Sequence, residues 1–174
     1  MPLIDRSGVV TDRWTRVAAD EPLPVRNRII VDASRYADHT VQPAGQPAGV
    51  DIGQSLKDGL AAIGNATPPD LISIAFDAMG DGRGFSVAKA LRDAGYQGRL
   101  RAHGPLIADQ FAFALASGFD EIETTEDIAR RQPGPHWRAA SVAYSTAYQP
   151  SRVQNVLEQR RQRRDRREIH AWAI

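Results

Sequence analysis

From residue 50 to residue 123, short β-branched or apolar runs alternate with stretches of helical period, and this alternation constrains the fold most. Leu71-Ile72-Ser73-Ile74-Ala75-Phe76 is the strongest strand signal, opening just after the Pro68-Pro69 break. Before it, Val50-Asp51-Ile52 reads as a short strand, and Leu56, Leu60 and Ile63 mark a helical face that Gly64-Asn65 ends. After it, Val87, Leu91 and Ala94 mark a helix that Ser86 is placed to cap and Gly95 to end. Residues 98 to 103 form the next strand candidate. Ile107, Phe111, Ala114 and Leu115 then repeat at helical spacing up to Gly118, and residues 119 to 123 are short enough for a strand.

Strand-helix alternation of this kind predicts an α/β single domain, its mainly parallel sheet of about five strands flanked by helices through right-handed crossovers. The order of the strands, half-barrel-like or doubly wound, stays open. Upstream, residues 1 to 20 alternate around Arg6-Ser7-Gly8 and predict an N-terminal β-hairpin. Pro22 and Pro24 break it, residues 28 to 32 form a buried strand, residues 33 to 39 one or two helical turns, and residues 42 to 49 a loop. Ser151-Arg152-Val153-Gln154 matches a capping box, and Val153, Val156 and Leu157 form a short apolar stripe. The expected organisation is one α/β domain over residues 1–150 and a C-terminal Arg-rich helical tail over residues 151–174.

A chain of 174 residues suits one core, and 42% hydrophobic with 25% charged residues is the composition of a soluble globular protein. The absence of cysteine excludes a disulfide framework, a thiolate zinc site, a catalytic thiol and an iron-sulfur cluster held by this chain's own thiolates. No leader-like or spanning apolar run is present, so the expectation is a cytoplasmic protein with no membrane partner. His39, His103, His136 and His170 are scattered, and no metal site is expected. Residues 160 to 167 hold six arginines and one aspartate, net +5, which leaves the rest near −4 against the formal total of +1. Such a run suits phosphates or carboxylates, but it contains no aromatic residue on which a base could stack, so a nucleic-acid partner is disfavoured.

Ligands of parallel α/β sheets sit beyond the C-terminal strand ends. After residues 71 to 76 the chain reads Asp77-Ala78-Met79-Gly80-Asp81-Gly82-Arg83-Gly84-Phe85-Ser86: spaced glycines, two aspartates and an arginine emptying into a helix N-terminus. It is neither a dinucleotide fingerprint nor a P-loop. Asp81 and Arg83 could equally pin the turn. After residues 98 to 103 come Asp109 and Gln110 in the first turn of a helix, where Asp109 complements the helix dipole. His103 ends a strand at the expected mouth and is the one candidate general acid or base. Strand parity puts Ser73, Ala75 and Asp77 on one face, as it does Arg99, Arg101 and His103, and likewise Glu121 and Glu123. That face must meet solvent, a polar cavity or a partner, unless Arg101 simply pairs with Glu121 or Glu123.

The run Asp81-Gly82-Arg83-Gly84-Phe85-Ser86, continued by Ala88, Leu91-Arg92, Gly95-Tyr96, Gly98, Leu100-Arg101-Ala102, Gly104, Asp109-Gln110 and Gly118-Phe119-Asp120, resembles a bacterial domain-of-unknown-function family labelled as oxidoreductases involved in sulfite reduction. The opening, from Leu3-Ile4 through Trp14 to Pro24, is similar too. The resemblance implies sulfur assimilation, with sulfite reductase or phosphoadenylylsulfate reductase as partners. It marks Asp81, Gly82, Arg83, Gly84, Ser86, Arg101, Asp109 and Gln110 as positions of interest. Members often carry a cysteine where this chain has Ser117-Gly118-Phe119, and the Arg-rich ending exceeds the usual one.

Sulfite reduction runs through sirohaem and an iron-sulfur cluster, which a chain without thiolates cannot ligate itself. Two expectations follow: an accessory protein docking on sulfite reductase or its electron supply, or a small anion-binding enzyme or module using Arg83, Arg101, Asp109 and His103 at the strand ends. Nucleic-acid binding through residues 160 to 167 ranks below both. The residues name neither a ligand nor a cofactor, and a homo-oligomer stays open.

Overall fold

A computed structural model describes residues 1–24, 27–37 and 47–146 of the chain. In these, the elements run β1 Leu3–Asp5, β2 Gly8–Val10, β3 Trp14–Arg16, β4 Arg28–Asp32, α1 Ala33–Ala37, β5 Ala48–Asp51, α2 Leu56–Ile63, β6 Leu71–Ala75, α3 Arg83–Asp93, β7 Arg99–Gly104, α4 Ala108–Ser117, β8 Glu121–Thr124, α5 Glu126–Arg131 and α6 Gly134–Thr146. The sheet is larger than the expected five strands and is mixed. Eight strands lie in the order β2-β1-β8-β7-β6-β5-β4-β3. From β3 to β8 all neighbours are parallel, whereas β1 pairs antiparallel with both β2 and β8.

Sequential order along the parallel strands excludes a doubly wound sheet, in which the order would reverse at a switch point. It also forces the sheet to curl. Residues 11 to 13 alone connect the two opposite edges, and four Cα steps of 3.8 Å span about 15 Å. Eight flat strands at about 4.8 Å would set those edges roughly 34 Å apart. The sheet is therefore a half-barrel whose open seam, between β2 and β3, is bridged by a three-residue strap.

The N-terminal hairpin is present as β1 and β2, but Trp14–Arg16 leaves it to become the far edge of the sheet, parallel to β4. Alternation in residues 14 to 16 is the same whether they continue a hairpin or cross to another edge, so the sequence pattern carries no sign of the crossing. The convex side of the sheet is the core: Ile29, Val31, Val50, Ile72, Ile74, Leu100, Ala102 and Ile122 form one cluster with Val87, Leu91, Phe111 and Leu115 of the helices. Trp137 of α6 is fully buried and stacks edge-on against Phe111 of α4 at 5.8 Å, so α5 and α6, which periodicity did not reveal, complete the helical layer.

Three expected details are corrected. In α2, Gly59 and Ala62 face inward, while Leu56 and Leu60 stay 36% and 42% exposed. The reason is close packing: a Cβ on Gly59 would come within 3.0 Å of Ile52 and Leu91, so only the small-residue side fits against the core. In α3, Ser86 is not the N-cap. The helix begins at Arg83 behind Gly82, and Asp81 Oδ1 accepts the Arg83 N–H at 3.0 Å. Ala94 is an exposed C-cap rather than part of the buried face. Residues 151 to 174, with the expected Arg-rich helix, lie outside the described residues.

Candidate functional site

The register places Asp51, Ser73, Arg101 and Glu121 on one rung of the concave face, with Ala75, His103 and Glu123 on the next. The polar parity read from β6 to β8 is thus one continuous inner surface. On the rung below, Ile30 and Leu71 are buried, as is Leu3 opposite Glu123, and all three are separate from the convex cluster. Ser73, Arg101, Glu121 and Glu123 are themselves buried, which is tolerable only because each is paired.

Arg101, 1% exposed, is the hub. Its Nε donates to Glu121 Oε1 at 2.8 Å and its Nη1 to Glu123 Oε2 at 3.2 Å. The two Nη atoms also fork onto the Asp12 carboxylate at 2.7 and 3.0 Å, tying the strap across the seam to the middle of the sheet. Arg99 Nη2 holds the second oxygen of Glu121 at 2.8 Å. Arg16 of β3 reaches across the curl: its Nη2 donates to Ser73 Oγ and Glu123 Oε2, both at 2.8 Å, and its Nη1 to Asp51 Oδ2. Burial lowers the affinity of Arg101 for its proton, but Asp12 and Glu121 outweigh this and hold it firmly charged. Burial raises the carboxyls of Asp12 and Glu123, yet the hydrogen bonds from Arg101 and Arg16 respectively, with further guanidinium charge, bring both below their ordinary values.

At the C-terminal end of this network sits His103. Its Nδ1 is buried, has no hydrogen-bond partner among the described residues and lies 3.9 Å from Asp51 Oδ2, too far for a bond. Burial, then the nearby Arg16 charge, push the imidazole below its ordinary pKa despite the opposing pull of Asp51 and Glu123. Three guanidiniums (Arg16, Arg99, Arg101) thus face four carboxylates (Asp12, Asp51, Glu121, Glu123) around a neutral histidine.

The loops after β6 and β7 converge, as the position of the glycine-rich segment leads one to expect. Phe76 N–H donates to His103 O at 2.8 Å, and Gln110 Nε2 donates to Met79 O at 2.8 Å. Gly104 adopts φ +140°, and a Cβ there would fall 2.1 Å from Phe76 O, so the close approach requires glycine. Gln54 Nε2 fastens the same loop through Ala75 O at 3.1 Å and Asp81 Oδ2 at 2.8 Å.

Arg83 and Arg101, however, share no partner. Arg83 is 73% exposed and forks onto Asp81, its own loop neighbour, while Arg101 is committed to the inner face. Asp81 is held well below the usual carboxylate range, first by the Arg83 hydrogen bond and then by Gln54. Asp77, Gly82 and Ser86 are exposed, Gly84 is buried against the Phe76 ring, and Asp109 is exposed in the first turn of α4. Sequence reasoning missed Asp12, Arg16 and Asp51. Extending the polar parity of β6 to β8 onto residues 14–16 and 48–51 would have found the last two; nothing local marks Asp12.

Residues 54–157 match the family described as "Bacterial protein of unknown function (DUF934)". The chain belongs to this family. The match takes in Ser73, Arg101, His103, Glu121 and Glu123, whereas Asp12, Arg16 and Asp51 lie before it. No curated protein and no solved structure matches the chain. Among the described residues no helix is long and apolar enough to cross a membrane, and no group of three or more His, Cys, Asp or Glu could hold a metal ion.

Proposed function

We propose that this DUF934 member is an accessory protein of assimilatory sulfite reduction, docking on sulfite reductase, on phosphoadenylylsulfate reductase or on their electron supply. The observation that carries the docking role is the outward turn of α2: Leu56 and Leu60 are left in solvent, on the same helical layer as Phe113 of α4, which is 58% exposed and stacked edge-on against Phe85. The pathway rests on the sequence resemblance. The arginines expected to form an anion site at the strand ends are satisfied by carboxylates of the chain itself, which favours docking over catalysis there.

Co-purification from cells growing on sulfate tests the proposal. Tagged wild type brings down one of the two reductases, and a Leu56→Glu, Leu60→Glu, Phe113→Glu variant with unchanged thermal stability does not. A deletion strain grows slowly on sulfate and normally on cysteine; equal growth on both overturns the reading. One observation favours a second reading, a proton-transfer site: the unpartnered Nδ1 of His103 beside Asp51 at the C-terminal strand ends. Under that reading His103→Gln abolishes complementation of the deletion strain while co-purification persists.

A further inference from the structure

We infer that the opposite end of the half-barrel, under the strap, is a binding site for a small anion, an oxyanion head group carried on a compact body with an apolar side. A cleft of about 200 Å³ opens there at the N-terminal ends of the parallel strands, walled by Trp14, Arg13, Arg28, Arg99 and Arg101, with Leu3 and Val10 as its apolar part. This is below the roughly 300–1,000 Å³ of pockets that take drug-sized molecules, so the ligand is small.

The charge of the cleft selects an anion. Three carboxylates also line it, and each is already engaged. Asp12 accepts the fork from Arg101 at 2.7 and 3.0 Å, Glu121 accepts from Arg101 and Arg99 at 2.8 Å each, and Asp5 accepts the backbone N–H and the hydroxyl of Ser7. Against these three stand four guanidiniums. Among the described residues, Arg13 and Arg28 have no carboxylate partner; Arg28 lies over the Trp14 ring at 5.9 Å, and both are exposed. Planar forks with free donors are suited to carboxylate, sulfo or phospho groups.

The site is held in place before any ligand arrives. Asp12 Oδ1 accepts the Trp14 N–H at 2.9 Å while its carboxylate is clamped by buried Arg101, so the strap that carries Arg13 and Trp14 has a fixed position on the sheet. Preorganisation of this kind lowers the cost of binding.

Trp14 supplies the readout, since the other described tryptophan, Trp137, is fully buried. Full-length protein is titrated with benzoate, phenyl phosphate and inorganic phosphate at constant ionic strength, with benzyl alcohol as the neutral probe, and Trp fluorescence and heat are recorded. The expected result is saturable binding of one or more anions and none of benzyl alcohol, with Trp14→Phe removing the fluorescence change. Arg28→Gln and Arg13→Gln, folded by thermal melt, each weaken binding by about tenfold, the scale of a lost charge-assisted hydrogen bond. Absence of saturation up to about 10 mM for all three anions, weaker than any useful affinity on the millimolar scale, overturns the inference. So does binding that is undiminished in both arginine variants.

Discussion

Leu100 and Arg101 are neighbours on β7, both fully buried, and they face opposite sides of one sheet. Leu100 sits in the convex cluster under the helices, held by dispersion and the removal of apolar surface from water. Arg101 sits in the concave network, held by Asp12, Glu121 and Glu123. A period of two residues thus builds, from one strand, two interiors that obey different physics. The apolar side tolerates change in proportion to volume. The ionic side tolerates it only when charges remain matched, because a buried carboxylate left alone keeps its desolvation cost.

The largest expected effects test that contrast directly. Arg101→Ala should destabilise by about 3–5 kcal/mol, the cost of breaking a buried pair, and Leu100→Ala by about 2–5 kcal/mol. Near neutral pH, denaturant melts need not separate them. On acidification they part: without Arg101 the buried Glu123 takes up a proton more readily, so the Arg101→Ala deficit relative to wild type shrinks, while the Leu100→Ala deficit stays constant. Equal pH dependence of the two deficits would show that the concave face is held by packing after all.

A middle-sized effect is expected at the strap. Asp12→Asn removes the charge opposite Arg101 but keeps an oxygen for the Trp14 N–H, so the loss should be about 1–2 kcal/mol, discounted because Asp12 is partly exposed. The same variant loosens the anchor of the strap on the sheet, which a red shift of Trp14 emission reports. A loss as large as that of Arg101→Ala would mean that strap closure, rather than the Arg101–Glu121 pair, holds the ionic face together.

How much of this was legible beforehand follows from the range of each interaction. Residues 71–76, 98–103 and 119–123 announce strands because their signal is local, and the polar parity of Ser73, Arg101, Glu121 and Glu123 needs only the two-residue period. The pairing of Arg101 with Glu121 is likewise between adjacent strands. The pairs that close the barrel are not local: Arg16 meets Glu123 from 107 residues away, and Asp12 meets Arg101 from 89. Nor could helical period alone tell which side of α2 faces in, because Gly59 wins by allowing close approach rather than by hydrophobicity. The glycine-rich loop drew attention by its composition, yet Asp81 and Arg83 satisfy each other there.

The smallest effect distinguishes the two halves of the concave face itself. Asp12 and Glu123 have carboxyls held below their ordinary values of 3.8 and 4.5, so the stability they contribute is complete above those values and is lost as pH falls further. His103 is held below its ordinary 6.5, and the sign is the same: folding favours the neutral ring, so the contribution is complete above pH 6.5 and declines as pH drops through the depressed folded value. Wild-type stability should therefore fall in two stages, a shallow one starting near pH 6.5 and a steeper one below about pH 4.5. His103→Gln should flatten the first stage and leave the second intact, as read from urea midpoints between about pH 2.5 and 8. If the variant keeps the shallow stage, the imidazole is not the titrating group, and the proton-transfer reading of the His103–Asp51 corner loses its physical basis.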